Sequence, residues 1–145
     1  ATTIGAVLSD QSKLIEDCLR TYGKELGIAY QLIDDVLDYS SSSEIIGKDI
    51  GDDLSEGKPT LPLIYALERC NPNMQLMIRE AITNKDSSHS KEIFQCVIDT
   101  GSLALTAEQA QIASKKAIDA LNDLPNNQFK DALIQLAKYT IERIY

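Results

Sequence analysis

The sequence has few helix-breaking residues and lacks the long apolar stretches that membranes require. Only 4 prolines and 7 glycines occur in 145 residues. No stretch reaches the roughly 18 consecutive apolar residues of a membrane span. No basic segment followed by an apolar one opens the chain, so we expect no secretory signal. With 43% hydrophobic residues, the chain has enough apolar side chains for one folded core.

Positive charge is also scarce. Lysine and arginine number 14 against 22 aspartates and glutamates, which gives a formal net charge of -8. Binding to nucleic acid requires a basic surface, so we do not expect a nucleic-acid partner. An acidic protein can still bind an anionic ligand when divalent cations lie between the two.

Cysteine and histidine are the remaining rare residues. Cys18, Cys70 and Cys96 form an odd set without the spacing of a metal site. We interpret them as reduced core thiols, which favours a cytoplasmic protein. The single histidine, His89, lies in the polar stretch "NKDSSHSKE", where a solvated loop or a helix cap is expected.

Apolar residues recur at intervals of three and four along nearly the whole chain, which predicts an all-α fold. We expect a single helical domain over residues 1–145. Its helices are predicted at about 1–8, 11–39, 60–70, 72–84, 88–100, 104–122 and 126–144. Thr60 is a candidate helix cap, and Pro72 suits a first helical position. A long polar connection with three glycines follows the second helix. Core-facing candidates near the C-terminus are Leu105, Ala113, Ala117, Ile118, Leu121 and Leu124.

Three acids interrupt an otherwise apolar stretch, "LIDDVLDY", at residues 32–39. At roughly 100° per residue, Gly27, Gln31, Asp34 and Asp38 fall within about 60° of arc, and Asp35 lies about 60–100° away. Apolar residues cover most of the remaining circumference. This pattern predicts a buried helix whose polar side faces an internal network or a cavity.

Asp34 and Asp38 are one helical turn apart, so their charges repel. A divalent cation would relieve that repulsion, and Mg²⁺ binds a few carboxylates together with waters and substrate phosphates. Gly27, one turn earlier, leaves room for a ligand along the helix. The alternative is a helix cap or a salt-bridged acidic face.

The segment "GKDIGDDLSEGK", residues 47–58, follows the acidic helix. Its glycines permit turns, and Lys48 and Lys58, its only cations, suit phosphate oxygens. It matches neither the P-loop nor the dinucleotide-binding glycine pattern. Together with the acids it indicates a Mg²⁺–diphosphate ligand, whereas a solvated charged loop is the alternative.

The two segments "GKELGIAYQLIDDVLDY" and "GKDIGDDLSEGKPTLP" together resemble the second aspartate-rich region of the trans-isoprenyl diphosphate synthases. The resemblance implies the C-terminal part of the isoprenoid synthase helical bundle, in an all-α homodimer around a central cavity. It also implies a prenyltransferase that adds isopentenyl diphosphate to an allylic diphosphate. The bacterial long-chain branch is most similar, and it makes octaprenyl-type chains for respiratory quinones such as ubiquinone.

The same resemblance implies a role for individual residues. Asp34 would bind Mg²⁺ directly, and Asp35 and Asp38 would bind it or hold its waters. These acids and Lys48 would form the catalytic set. The residues expected to contact the allylic diphosphate or to support those contacts are Tyr30, Gln31, Lys48, Asp53 and Lys58.

The sequence departs from the family pattern in one respect: the family carries a first aspartate-rich motif, and this sequence has none. We therefore expect a C-terminal half that binds Mg²⁺–diphosphate weakly and does not catalyse alone. The rival hypotheses are a non-catalytic regulatory or partner subunit and a terpene cyclase-like lyase. The "GKPTLP" segment favours a synthase over a cyclase. The coding sequence upstream of Ala1 would distinguish an enzyme from a partner subunit.

Overall fold

The computed structural model describes residues 2–41 and 52–143, without the side chains of 40, 41, 52 and 53. In these ranges it contains helices and no strand, which confirms the all-α prediction. The helices are α1 (Thr2–Leu8), α2 (Lys13–Ser41), α3 (Asp52–Glu56), α4 (Leu61–Arg69), α5 (Pro72–Asn84), α6 (Ser90–Asp99), α7 (Ser102–Asp119) and α8 (Gln128–Glu142). No helix in the described ranges is long and apolar enough to cross a membrane.

Helix ends agree with the predicted ones where local signals set them. Pro72 occupies the start of α5, and the Asn71 side chain accepts a hydrogen bond from the Met74 amide at 3.0 Å. The other predicted helices also end within a few residues of the observed bounds. The prediction was wrong at residues 52–56, where the helix α3 forms inside the segment predicted to be a polar connection.

The prediction that the Thr60 side chain caps a helix is also wrong. Thr60 precedes α4 with an extended backbone, but its side chain makes no capping hydrogen bond. Pro62 stands at the second helical position, where the cap usually finds a donor, and proline has no N–H. The Thr60 hydroxyl is instead buried, with no hydrogen-bond partner among the described residues.

The chain divides into two compact units. Unit 1 consists of Ala1–Ile33 and Glu108–Tyr145. Its core includes the fully buried ring of Tyr22, whose hydroxyl donates a hydrogen bond to the Leu133 carbonyl at 2.9 Å. Ser114 of α7 donates to the Ala137 carbonyl of α8 at 2.8 Å. These two bonds connect α8 to α2 and α7 through otherwise apolar contacts.

Helix α1 contacts α2 closely where Thr2 meets Leu19 and Gly23. The Thr2 hydroxyl donates a hydrogen bond to the Leu19 carbonyl at 2.7 Å. A Cβ at Gly23 would collide with the Thr2 hydroxyl. Glycine at this position therefore lets the two helices meet.

Unit 2 consists of Asp34–Ala107. Within it α4 packs on both α5 and α6, α5 packs on α6, and α3 packs on α5. Tyr39 stacks on Phe94 of α6, with ring centroids 6.2 Å apart and planes 9° from parallel. The buried core residues are Leu54, Leu63, Ala66, Ile78, Ala81, Ile93, Cys96 and Val97. That the two units form a single domain stays a prediction.

Most smaller expectations hold. Ala113, Ala117 and Leu121 are buried, and Leu105, Ile118 and Leu124 are half-buried. His89 is exposed at the position that precedes α6, as expected for a loop or cap residue. All three cysteines are free thiols, but only Cys96 lies in the core, since Cys18 and Cys70 are half-buried.

Candidate functional site

The three acids lie on the last two turns of α2, at the start of unit 2. They differ in their access to water: Asp34 is half-buried, Asp38 is exposed and Asp35 is only 8% exposed. Asp35 precedes Tyr39 by one turn on the same face, and the stacking of Tyr39 on Phe94 turns that face toward α6. The two acids predicted to face a ligand therefore keep contact with water, and the third is covered by protein.

Tyr30 and Gln31 lie in the part of α2 that belongs to unit 1. The expectation that apolar residues of this helix are buried is wrong at Ile28 and Tyr30, which are 40% and 49% exposed. The guanidinium of Arg143 lies 4.7 Å from the centroid of the Tyr30 ring, a distance typical of a cation–π contact. The sequence could not reveal this pair, since no spacing rule links residues so far apart in the chain.

Gly27 borders open space, as the prediction of room along the helix requires. A Cβ built at Gly27 would meet no atom within 4 Å. A cleft of about 460 Å³ runs past it within unit 1. Its lining along α2 includes Gly23, Gly27 and Tyr30, and Thr140 of α8 contributes to the opposite side.

The lysine loop is described only in part. Lys48 lies outside the described residues, and the backbone of Asp53 belongs to α3 while its side chain is not described. Lys58 is exposed, and its ammonium forms an ion pair with Glu56.

Gly57 sets the local conformation before Lys58. Its φ of +72° lies in the left-handed region, which glycine adopts without strain. A Cβ there would lie 2.9 Å from the Ile82 carbonyl oxygen of α5. The turn that presents Lys58 therefore depends on glycine, as the predicted loop requires.

The described residues fit a sparsely coordinated metal rather than a closed protein cage. No group of three or more potential ligands occurs among them. Asp34 and Asp38 nevertheless place two water-accessible carboxylates one turn apart. This donor set suits Mg²⁺, which commonly takes one or two carboxylates and fills its octahedron with waters and substrate phosphates.

Comparison with known proteins places this geometry in a family. The octaprenyl diphosphate synthase of Haemophilus influenzae is 40% identical over 141 residues, covering 97% of this chain and 43% of that protein. This chain thus spans about two fifths of that relative's length.

Solved structures agree. A decaprenyl diphosphate synthase from Rhodobacter capsulatus superposes with a TM-score of 0.87 at 31% identity, over 99% of this chain and 45% of that one. A polyprenyl synthase from Caulobacter crescentus, complexed with calcium and isoprenyl diphosphate, has a TM-score of 0.82 at 36% identity, over 97% and 44%. The family model described as polyprenyl synthetase matches residues 1–99, well over half of the sequence, and this chain therefore belongs to the polyprenyl synthetase family.

Proposed function

We propose that this chain supplies the second aspartate-rich part of the active site of a prenyltransferase. That enzyme adds isopentenyl diphosphate units to an allylic diphosphate and makes a long all-trans chain of the octaprenyl type for respiratory quinones. The observation that carries the proposal is the pair Asp34 and Asp38, one turn apart and both in contact with water. The family membership gives this pair its chemical context.

The proposed mechanism assigns each residue a task at the diphosphate. Asp34 and Asp38 hold Mg²⁺, which supplies positive charge to stabilise the departing diphosphate. Lys48 and Lys58 add positive charge around the same oxygens, and Gln31 donates a hydrogen bond to them.

The remaining residues support this arrangement. Asp35, which is only 8% exposed, supports Asp34 and Asp38 by binding the metal or holding its waters. Tyr30 and Asp53 support the substrate contacts. In the complete active site water would have to be excluded, so that the allylic cation is captured by the double bond of isopentenyl diphosphate rather than hydrolysed. A homodimer and a cytoplasmic location stay predictions.

Calorimetric titration of inorganic diphosphate into the protein, with and without Mg²⁺, tests the metal assignment. We expect weak binding that requires Mg²⁺ and that Asp34→Asn reduces at least tenfold. The matched control is Asp17→Asn, which removes the same charge from an exposed position of α2 about 25 Å away along the axis. Binding that is equally strong in Asp34→Asn and in the control would refute the assignment.

Chain elongation tests the reaction separately. Isopentenyl and farnesyl diphosphates are supplied with Mg²⁺, and product length is measured by chromatography. We expect no elongation by these 145 residues alone. In a chain that also carries the first aspartate-rich motif we expect elongation that Asp34→Ala lowers by orders of magnitude. Full activity of that variant would contradict the proposal.

A further inference from the structure

Two of the three cysteines, Cys70 and Cys96, belong to the packing of unit 2. Cys96 of α6 is 8% exposed and belongs to that core. Cys70 follows the last residue of α4 and packs against the same cluster from its half-buried position. Because α4 packs directly on α6, helix packing places both cysteines at the same core cluster, which their spacing in the sequence does not predict.

The electrostatics of Cys96 agree with the placement of both cysteines at one core cluster. Burial, and after it the charge and hydrogen bond of the adjacent Cys70 thiol, raise the pKa of Cys96 to about 11. Cys96 is therefore a protonated thiol at neutral pH and does not react first, because the thiolate is the nucleophile. Cys70, which is more accessible, is the thiol that an external reagent meets.

We propose that Cys70 and Cys96 form a reversible disulfide when the protein encounters hydrogen peroxide. In the first step the Cys70 sulfur displaces water from the peroxide and is oxidised to a sulfenic acid. In the second step the Cys96 sulfur attacks that sulfur, and the released hydroxide leaves as water with the Cys96 proton. Two thiols and one peroxide thus give one disulfide and two waters. An external dithiol reverses the reaction by thiol–disulfide exchange.

The disulfide would link the C-terminal end of α4 to α6. The chain segment between the two cysteines, which includes α5, would then form a closed loop. Such a crosslink restricts the unfolded chain, so the oxidised protein should melt at a higher temperature. The proposal does not depend on the prenyltransferase reaction. Cys18 lies in unit 1 and takes no part in it.

The experiment uses the Cys18→Ser variant, which retains only the two relevant thiols. It is treated with a small excess of hydrogen peroxide, quenched and analysed by mass spectrometry without reduction. We expect the loss of two hydrogens per monomer, no covalent dimer, and full reversal by dithiothreitol. Trypsin cleaves after Arg69, Arg79 and Lys91, so the two cysteines lie on separate peptides that only the disulfide joins.

The matched control adds Cys70→Ser, which removes the accessible thiol and should abolish the linked peptide. Circular dichroism of the unoxidised variants establishes that each is folded. If Cys18→Ser does not fold, peptide mapping of the oxidised wild-type protein answers the same question. Oxidation of Cys70 to sulfinic acid, a covalent dimer, a Cys18 linkage, or two thiols that survive peroxide in the folded protein would each overturn the proposal.

Discussion

Gly57 is the position where one added methyl group tests the described packing most directly. It lies between α3 and Lys58, with φ at +72° and its absent Cβ directed at the Ile82 carbonyl oxygen from 2.9 Å. Gly101 provides the matched comparison, because its φ is +67° and a Cβ there would meet nothing within 4 Å. The substitutions Gly57→Ala and Gly101→Ala therefore share the backbone penalty and differ in the steric contact.

The expected magnitudes follow from these two terms. A left-handed conformation costs an alanine about 1–2 kcal/mol. Alanine also restricts the unfolded chain, which returns about 0.4–1 kcal/mol. We therefore expect Gly101→Ala to lower the free energy of unfolding by about 1 kcal/mol. Crowding against a backbone oxygen adds about 1–3 kcal/mol, so Gly57→Ala should lose about 2–4 kcal/mol.

Urea titration at 25 °C, followed by circular dichroism, measures both variants. The midpoint should fall by about 1–2 M for Gly57→Ala and by about 0.5 M for Gly101→Ala, with similar slopes. Equal losses in the two variants would show that the contact between the turn and α5 is absent in solution. The position of Lys58 derived from that turn would then be wrong as well.

Four other substitutions test the core of unit 1, the glycine of α2 that borders open space, and the acidic turns. Tyr22→Phe removes the hydrogen bond to the Leu133 carbonyl and should lower the free energy of unfolding by about 1 kcal/mol near pH 7. Because burial raises the pKa of Tyr22 above 10.0, the wild-type protein loses stability as pH rises past that value, and urea titrations there should show a smaller difference. Gly27→Ala should stabilise the protein by about 0.5–1 kcal/mol, since it lies inside a helix beside open space, yet weaken diphosphate binding in calorimetry. Asp35→Asn should cost about 1–3 kcal/mol in the same urea titration and Asp38→Asn less than about 0.5 kcal/mol, and equal costs would contradict their different burial.

Predictions from the sequence succeeded where neighbouring residues alone determine the structure. The start of α5 follows from Asn71 and Pro72, a cap and a residue suited to the first turn, and neither depends on the rest of the fold. Helix α3 could not be predicted in this way, because five residues in a segment rich in glycine and serine do not form a stable helix alone. Its Leu54 is 4% exposed in the core of unit 2, so tertiary packing on α5 stabilises it.

The candidate site was likewise predictable only where its features depend on local sequence. The letters of "LIDDVLDY" place three acids on two turns of a helix, and the spacing correctly separates Asp35 from the other two. The spacing does not say which side α6 covers, and that side was decided by the stacking of Tyr39 on Phe94. The contact of Arg143 with Tyr30 was equally beyond prediction, because the two residues are far apart in the sequence and meet only through tertiary packing.

The unequal burial of the three acids has a consequence for how a metal would be held. A hydrated Mg²⁺ gives up its waters reluctantly, so it binds most readily to carboxylates that are themselves in contact with water. Asp34 and Asp38 meet that condition, whereas Asp35 has exchanged most of its water for protein surroundings. A buried carboxylate is costly to remove because its neighbours are arranged around its charge. The effect of substitution on diphosphate binding should therefore rank Asp34 and Asp38 above Asp35, and the effect on stability should run in the opposite order.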